Sequence, residues 1–258
     1  MKKILFLLLV LAAFASCKKE KVTQLKPDDP KAVSKHLVKE VYVYNNGAPE
    51  VTEYSYNAQN QLVWVSYADG IDSFVYNSAT SITAIGRKKA DNSLSYTKEC
   101  TLDNSGRMTK VVYKNTAGVV SFIYEYSYDT NGYLTKEKYN QLIGTPYYYE
   151  REFTWADGNP VSSKFYTDGQ FNKTREYTYD LTKINKTNRA SAGIWASATW
   201  FGKGSKNYQI SFKEKDKGNN LVWHNENAWT LDADGYPTKL DTHYPLLGKS
   251  GVTTYTYQ

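Results

Sequence analysis

Phe122-Ile-Tyr124-Glu-Tyr126-Ser-Tyr128-Asp129-Thr-Asn-Gly132-Tyr-Leu134 is the stretch that decides the fold. Its aromatic residues alternate with Ile123, Glu125 and Ser127. On a pleated strand, Phe122, Tyr124, Tyr126 and Tyr128 therefore share one face, and a mainly polar set takes the other. Asp129-Thr-Asn-Gly132 then has the chemistry of a chain reversal. The Asp side chain accepts from nearby backbone N–H groups, and Gly supplies the positive φ. Leu134 opens the next strand, so the stretch reads as half of one β-hairpin and the start of its partner.

Working outward, the same unit recurs: aromatic, any residue, aromatic, Asp or Asn, a few polar residues with Gly, then an apolar residue. Tyr54-Ser-Tyr56-Asn57 leads to Leu62, and Phe74-Val-Tyr76-Asn77 to Ile82. Thr101-Leu102-Asp103 carries Gly106 and Met108, and Phe153-Thr-Trp155-Ala156-Asp157-Gly158 leads to Val161. Tyr177-Thr-Tyr179-Asp180 leads to Ile184, Trp229-Thr-Leu231-Asp232 carries Gly235, and Tyr255-Thr-Tyr257 closes the series. From Tyr76 through Leu102, Tyr128 and Trp155 to Tyr179 the spacings are 26, 26, 27 and 24 residues. That regularity marks a repeat protein of tandem hairpins. Gly106, Gly132, Gly158 and Gly235 are expected as structural turn glycines, while Gly118 stands outside the motif. The Asp-x-x-Gly turns are not calcium loops, because none has the closing bidentate Glu at the required offset.

The fold expected is all-β: a single antiparallel meander of about 15–18 short strands, curled or partly closed into a barrel-like shape. The composition agrees, with 24 Tyr in the chain and only 13 Leu after the first 16 residues. Tyr suits a pleated, half-buried surface better than a helix bundle. The barrel is expected to be soluble rather than membrane-spanning. Glu125, Glu150, Glu152, Thr174 and Glu176 lie opposite the aromatics, where a spanning barrel needs an apolar band.

The Tyr-x-Tyr-Asp…Gly…Leu pattern resembles the YD repeats of RHS-type proteins, whose hairpins wind into curled shells. Together with the Gly202-Lys-Gly-Ser-Lys-Asn207-Tyr-Gln-Ile segment and the N-terminal signal described next, the chain resembles a Bacteroidota lipoprotein family of unknown function with a porin-like fold. The resemblance covers about residues 37–258 and implies no activity, cofactor or catalytic residue.

Residues 1–16 have the layout of a lipoprotein signal: Met1-Lys2-Lys3, an apolar run from Ile4 to Phe14, then Ala15-Ser16 before Cys17. The run is too short to span a bilayer as a helix. Cys17 is the expected lipid attachment site, and 17–36 a charged tether leading to a β-repeat domain over 37–258. The location that follows is the outer membrane, on its periplasmic side or at the cell surface. Loss of Lys2 and Lys3 brings the formal charge from +6 to about +4. With no dense basic stripe, nucleic acid is not an expected partner. Cys100 is then the one free thiol, on a face with Tyr96 and Leu102, and reads as a packed, inert group.

The repeat breaks at about 186–207, a non-repeat insertion rich in Ala and Ser. Trp195, Trp200, Trp223 and Trp229 fall within 35 residues there. One reading makes the insertion a plug whose rings fill the mouth of the sheet. The other makes the four tryptophans a ligand platform, since aromatic faces stack on sugar rings. His224 and His243 are isolated in sequence, no metal or cofactor motif is present, and no nucleophile elbow occurs. The function expected is that of a non-catalytic envelope binding module for a glycan or a protein partner. The alternative is a structural or assembly component of an outer-membrane complex. A glycoside hydrolase using carboxylates in the curled lumen is the remote third reading; Glu150 and Glu152 share a strand face but read as solvated outer-face residues.

Overall fold

A computed structural model of the chain describes residues 35–187 and 199–258. Cys17, Trp195, the signal and most of the tether lie outside the described residues. The first eight strands are β1 (Leu37–Tyr44), β2 (Glu50–Tyr56), β3 (Leu62–Ser66), β4 (Gly70–Ser78), β5 (Ser81–Lys88), β6 (Leu94–Leu102), β7 (Met108–Asn115) and β8 (Val120–Tyr128). The rest are β9 (Leu134–Gln141), β10 (Tyr147–Ala156), β11 (Asn159–Thr167), β12 (Gln170–Ile184), β13 (Asn207–Asp216), β14 (Leu221–Leu231), β15 (Pro237–Tyr244) and β16 (Lys249–Tyr257).

Each strand pairs antiparallel with its sequence neighbours, and β1 closes the ring on β16. Leu37 faces Tyr257 and Tyr44 faces Gly251 across that seam. His36 and Gln258 exchange both backbone hydrogen bonds, at 2.9 and 3.0 Å. His36, the last residue of the expected tether, is thus hydrogen-bonded to the end of the chain. Lys35 is docked as well, its Nζ 2.8 Å from Asp232 and 2.6 Å from Asp234. Closure removes the exposed edges that an open sheet of this width would leave.

The period-2 alternation sends the aromatics inward and most charges outward. On the outer face Lys136 sits 2.7 Å from Glu150 and 2.9 Å from Glu152, and Lys215 sits 3.0 Å from Glu176. Such ion pairs on strand exteriors are not the apolar band of a bilayer-spanning barrel. Among the described residues no helix is long and apolar enough to cross a membrane.

The turns repeat atom for atom. Six of them begin at Asn57, Asp103, Asn115, Asp129, Asp216 and Asp232. In each, the first residue's N–H donates to the carbonyl four residues on, at 2.8–3.0 Å. The side-chain Oδ1 of the first residue accepts from the N–H of that same fifth residue. The fourth residue takes positive φ, as Asn60 (60°), Gly106 (75°), Gly118 (77°), Gly132 (88°), Asn219 (64°) and Gly235 (84°). This is the three-residue hairpin loop with a left-handed fourth position. Gly118 therefore belongs to the pattern, which corrects its assignment from sequence: Asn115 does the work of Asp, and no aromatic pair is needed to mark the turn. Gly158 also has positive φ (80°), in a two-residue turn with Asp157 (51°). Valine at Gly106, Gly118, Gly132 or Gly235 is expected to cost about 1–3 kcal/mol each in urea melts. A neutral Gly118→Val would contradict the equivalence.

The repeat also has a long-range bond that explains its second aromatic. Tyr56 donates to the Leu37 carbonyl (3.1 Å), Tyr76 to Leu62 (3.1 Å), Tyr128 to Met108 (2.7 Å) and Tyr179 to Pro160 (2.9 Å). The indole N–H of Trp155 donates to Leu134 (2.7 Å), and Trp229, at the first ring position of its unit, donates likewise to Gln209 (2.7 Å). In the units of Tyr56, Tyr76, Tyr128, Trp155 and Tyr179 the ring thus packs inward, while its polar tip satisfies a carbonyl near the start of a strand in the preceding unit. Where Leu102 and Leu231 replace the aromatic, this bond is absent from the motif and only packing remains.

Candidate functional site

Because strands alternate in direction, the turns divide between two ends of the barrel. One end carries the turns after β2, β4, β6, β8, β10, β12 and β14, together with Lys35 and Gln258. There the inner face is a dry core. Ile82, Met108 and Val111 are fully buried, and Leu62, Val65 and Leu134 nearly so.

Residues 199–206, from the connection between β12 and β13, pack into this end. Their 3-10 turn (Thr199–Phe201) places Trp200 edge-on to Phe74, ring centroids 5.1 Å apart, and Phe201 edge-on to Tyr126 at 5.1 Å. Phe201 is fully buried. The chain then reverses at Gly202 (φ 75°). Lys203 N–H donates to the Gly132 carbonyl (3.0 Å) and Lys206 N–H to that of Gly158 (2.8 Å). The described residues 203 and 206 of the insertion are thus fastened to two hairpin turns, and the rings of Trp200 and Phe201 lie as the plug reading expects.

The other half of the inner face is different. A belt of rings crosses five consecutive strands: Tyr96 (β6), Tyr113 (β7), Phe122 (β8), Tyr139 (β9) and Tyr149 (β10). Successive centroids lie 4.7, 4.1, 5.5 and 5.3 Å apart. All five rings are only half-buried, so this end of the lumen is open to solvent. Tyr96 lies flat because Gly86 is its cross-strand neighbour, where any Cβ would strike the ring. Opposite along the ring of strands, Tyr44 and Trp223 both pack against Tyr244, at 5.7 and 5.6 Å.

Charges are set below the belt. Asp72 accepts from Tyr96 and lies 3.3 Å from Lys98 Nζ, both carboxylate and ammonium being buried. Burial holds the Lys98 ammonium below the ordinary lysine range, with Asp72 opposing that shift. Glu137 accepts from Tyr149. Arg151 is clamped between the rings of Phe153 and Phe165, donating to Tyr177 (2.6 Å) and Ser163 (3.3 Å). Burial pushes Glu214 upward, but hydrogen bonds from Lys173 (2.9 Å) and Arg175 (2.5 Å) outweigh it and leave its carboxyl below the usual range. Tyr124, behind the belt, is pushed up to about 12 by burial and by Glu137, and stays a neutral hydroxyl.

The tryptophans chosen from sequence do not share a ring neighbour among the described residues. Trp200 is plug, and Trp229 is wedged between Tyr208 and Tyr255 at the sealed end. Trp223 alone stands at the open mouth. The belt itself is a set that sequence reasoning left unassembled, although the alternation in 122–128 and 147–155 contains two of its five rings, Phe122 and Tyr149. Cys100 is buried, and that burial raises its thiol to about 12, which makes it a poor nucleophile.

The carboxylate pair Glu150 and Glu152 is neutralised by Lys136 on the outer face. The Lys136 hydrogen bond holds Glu150 below the ordinary glutamate range. His224 and His243, isolated in sequence, are brought to one carboxylate. Glu226 lies 3.8 Å from the first and 3.4 Å from the second, in an exposed cluster. Among the described residues no three such groups gather in metal-binding geometry.

The class defined by this architecture is a porin-like β-barrel of sixteen strands with one sealed end. A solved porin-like protein from Bacteroides uniformis matches it with a TM-score of 0.66 at 14% identity, over 87% of this chain and 97% of that one. A second, from Bacteroides vulgatus, matches with a TM-score of 0.58 at 10% identity, over 87% and 99%. At these identities the likeness is one of fold. No family model and no curated protein matches the chain.

Proposed function

We propose that the chain is an envelope lipoprotein, acylated at Cys17, that acts as a non-catalytic binding module, taking a glycan or a protein partner at the open end of its barrel. The observation that supports this most is the half-exposed belt from Tyr96 to Tyr149. Five rings held in register on rigid strands, with one lumen end plugged, form a preorganised wall for a flat, partly apolar ligand face. Hydroxyl tips and the charges beneath supply polar contacts of the kind that set orientation. The lipoprotein-like sequence ahead of Cys17 supports an anchor for such a module at the membrane.

Glycan arrays, read together with intrinsic fluorescence, test the ligand reading. A bound glycan is expected to shift the emission of Trp223 at the mouth, and Tyr139→Ala is expected to weaken binding roughly tenfold or more. Binding that survives Tyr139→Ala and Tyr149→Ala would place the ligand elsewhere. Silence on every array would favour an assembly component instead. The anchor is tested separately: Cys17→Ala is expected to move the protein out of the membrane fraction and abolish lipid labelling.

A further inference from the structure

The open end carries most of the exposed apolar surface. Of fourteen large apolar side chains exposed among the described residues, ten stand at that end. Leu142 and Ile143 lie in the turn after β9, Phe171 at the start of β12, Val222 just after the turn following β13, and Leu246 and Leu247 in the turn after β15. Leu142 is 49% exposed, Leu246 51% and Leu247 47%. With Val119 after β7, these occupy five consecutive turns of that end, spanning the arc from β7 to β16. The three remaining turns of the same end, 45–49, 67–69 and 89–93, expose no large apolar side chain, and the last carries Lys89 and Asp91 next to Lys88 at the end of β5. The apolar tips are therefore a one-sided arc.

We infer that this arc docks on a lipid bilayer, tilting the barrel so that the polar turns and part of the mouth stay in water. Tips on alternate strand connections stand about 10 Å apart, each exposing one to three apolar side chains. A fluid interface accepts that spacing without a complementary surface, whereas a protein partner would need a continuous patch. Lys217, within the arc, and Lys249, at its β16 end, are both exposed and suit anionic headgroups. The segment before the barrel does not prevent the contact. Chain from Cys17 to Lys35 reaches up to about 60 Å when extended, and strands of this length rise only about 30 Å. A chain tethered at Cys17 can thus lay its far end on the same bilayer. This inference stands independently of the ligand reading above.

Single cysteines carrying a polarity-sensitive fluorophore test it. Leu142→Cys, Val222→Cys and Leu246→Cys report on the arc, Asp91→Cys on the polar turns of the same end, and Asn104→Cys on the sealed end. The full chain, with no added cysteine as background, is reconstituted into phosphatidylethanolamine vesicles containing a minority of phosphatidylglycerol and a lipid-borne quencher. The arc labels are expected to shift to the blue and lose most of their emission to the quencher, while Asp91→Cys and Asn104→Cys keep theirs. Adding Leu142→Asn and Leu247→Asn is expected to cut quenching at Val222→Cys severalfold without changing the urea midpoint. Quenching confined to Asn104→Cys, or absent everywhere, would overturn the inference. So would arc labels that shift to the blue equally without lipid in a protein of doubled mass, which would mean a second copy covers the arc.

Discussion

Phe201→Ala is expected to lower the free energy of unfolding by about 3–5 kcal/mol, the usual cost of emptying a fully buried aromatic site. Phe201 has no exposed surface and packs edge-on to Tyr126. Tyr126 is itself buried, so the vacated volume has few flexible neighbours to fill it. The change would unseat the plug rather than one strand. Hydrogen exchange should accordingly rise at the sealed ends of β4 and β8 more than at their open ends. Phe171→Ala, which removes the same ring from an exposed site, should stay within about 0.5 kcal/mol of the parent. Comparable losses at the two positions would mean that the plug is not a packing element.

Gly202→Ala is expected to be nearly as damaging, at about 3 kcal/mol or more, although it adds a single methyl group. The residue has φ 75°, and a Cβ there would collide with the backbone carbonyl oxygen of Gly132. That carbonyl already accepts from Lys203, so neither partner can retreat without releasing the plug from the hairpin turn. Gly106 has the same φ of 75° but open space around its Cβ position. Gly106→Ala should therefore show the backbone strain alone, about 1 kcal/mol. The difference between the two urea midpoints isolates the collision, and equal midpoints would remove it from the account.

Much of the fold is legible in the sequence because its determinants are local. The Asp or Asn that opens each turn, the left-handed residue three positions later and the alternating aromatics act over a few residues, and the sixteen strands fall within the number that pattern implies. Closure is another matter. The pairing of Tyr44 with Gly251 joins residues about 200 positions apart, and no local signal distinguishes a closed seam from a curled sheet with two free edges.

The candidate site was less legible for a geometric reason. Residues close in sequence on a strand separate quickly along it. Trp223 and Trp229 share the inner face of β14, yet six residues of strand put them about 20 Å apart, one at the mouth and one in the sealed end. Conversely, Tyr96 and Tyr149 are far apart in sequence but belong to one belt, because the meander stacks every strand beside its predecessor. His224 and His243 meet at Glu226 by the same cross-strand register, in which Glu226 faces His243. Site residues in this fold are found by strand position relative to the turns, and sequence proximity misleads.

The closed, plugged barrel is the premise on which the belt, the mouth and the apolar arc all depend, and the seam between β1 and β16 tests it most directly. Val43 and Val252 face each other there. In a chain carrying Val43→Cys and Val252→Cys, mild oxidation is expected to form an intramolecular disulfide quantitatively, with Cys100 remaining buried and unreacted and the urea midpoint unchanged or raised. Failure to cross-link in the folded protein, or disulfides that form only between two chains, would mean an open sheet with free edges and would contradict the barrel.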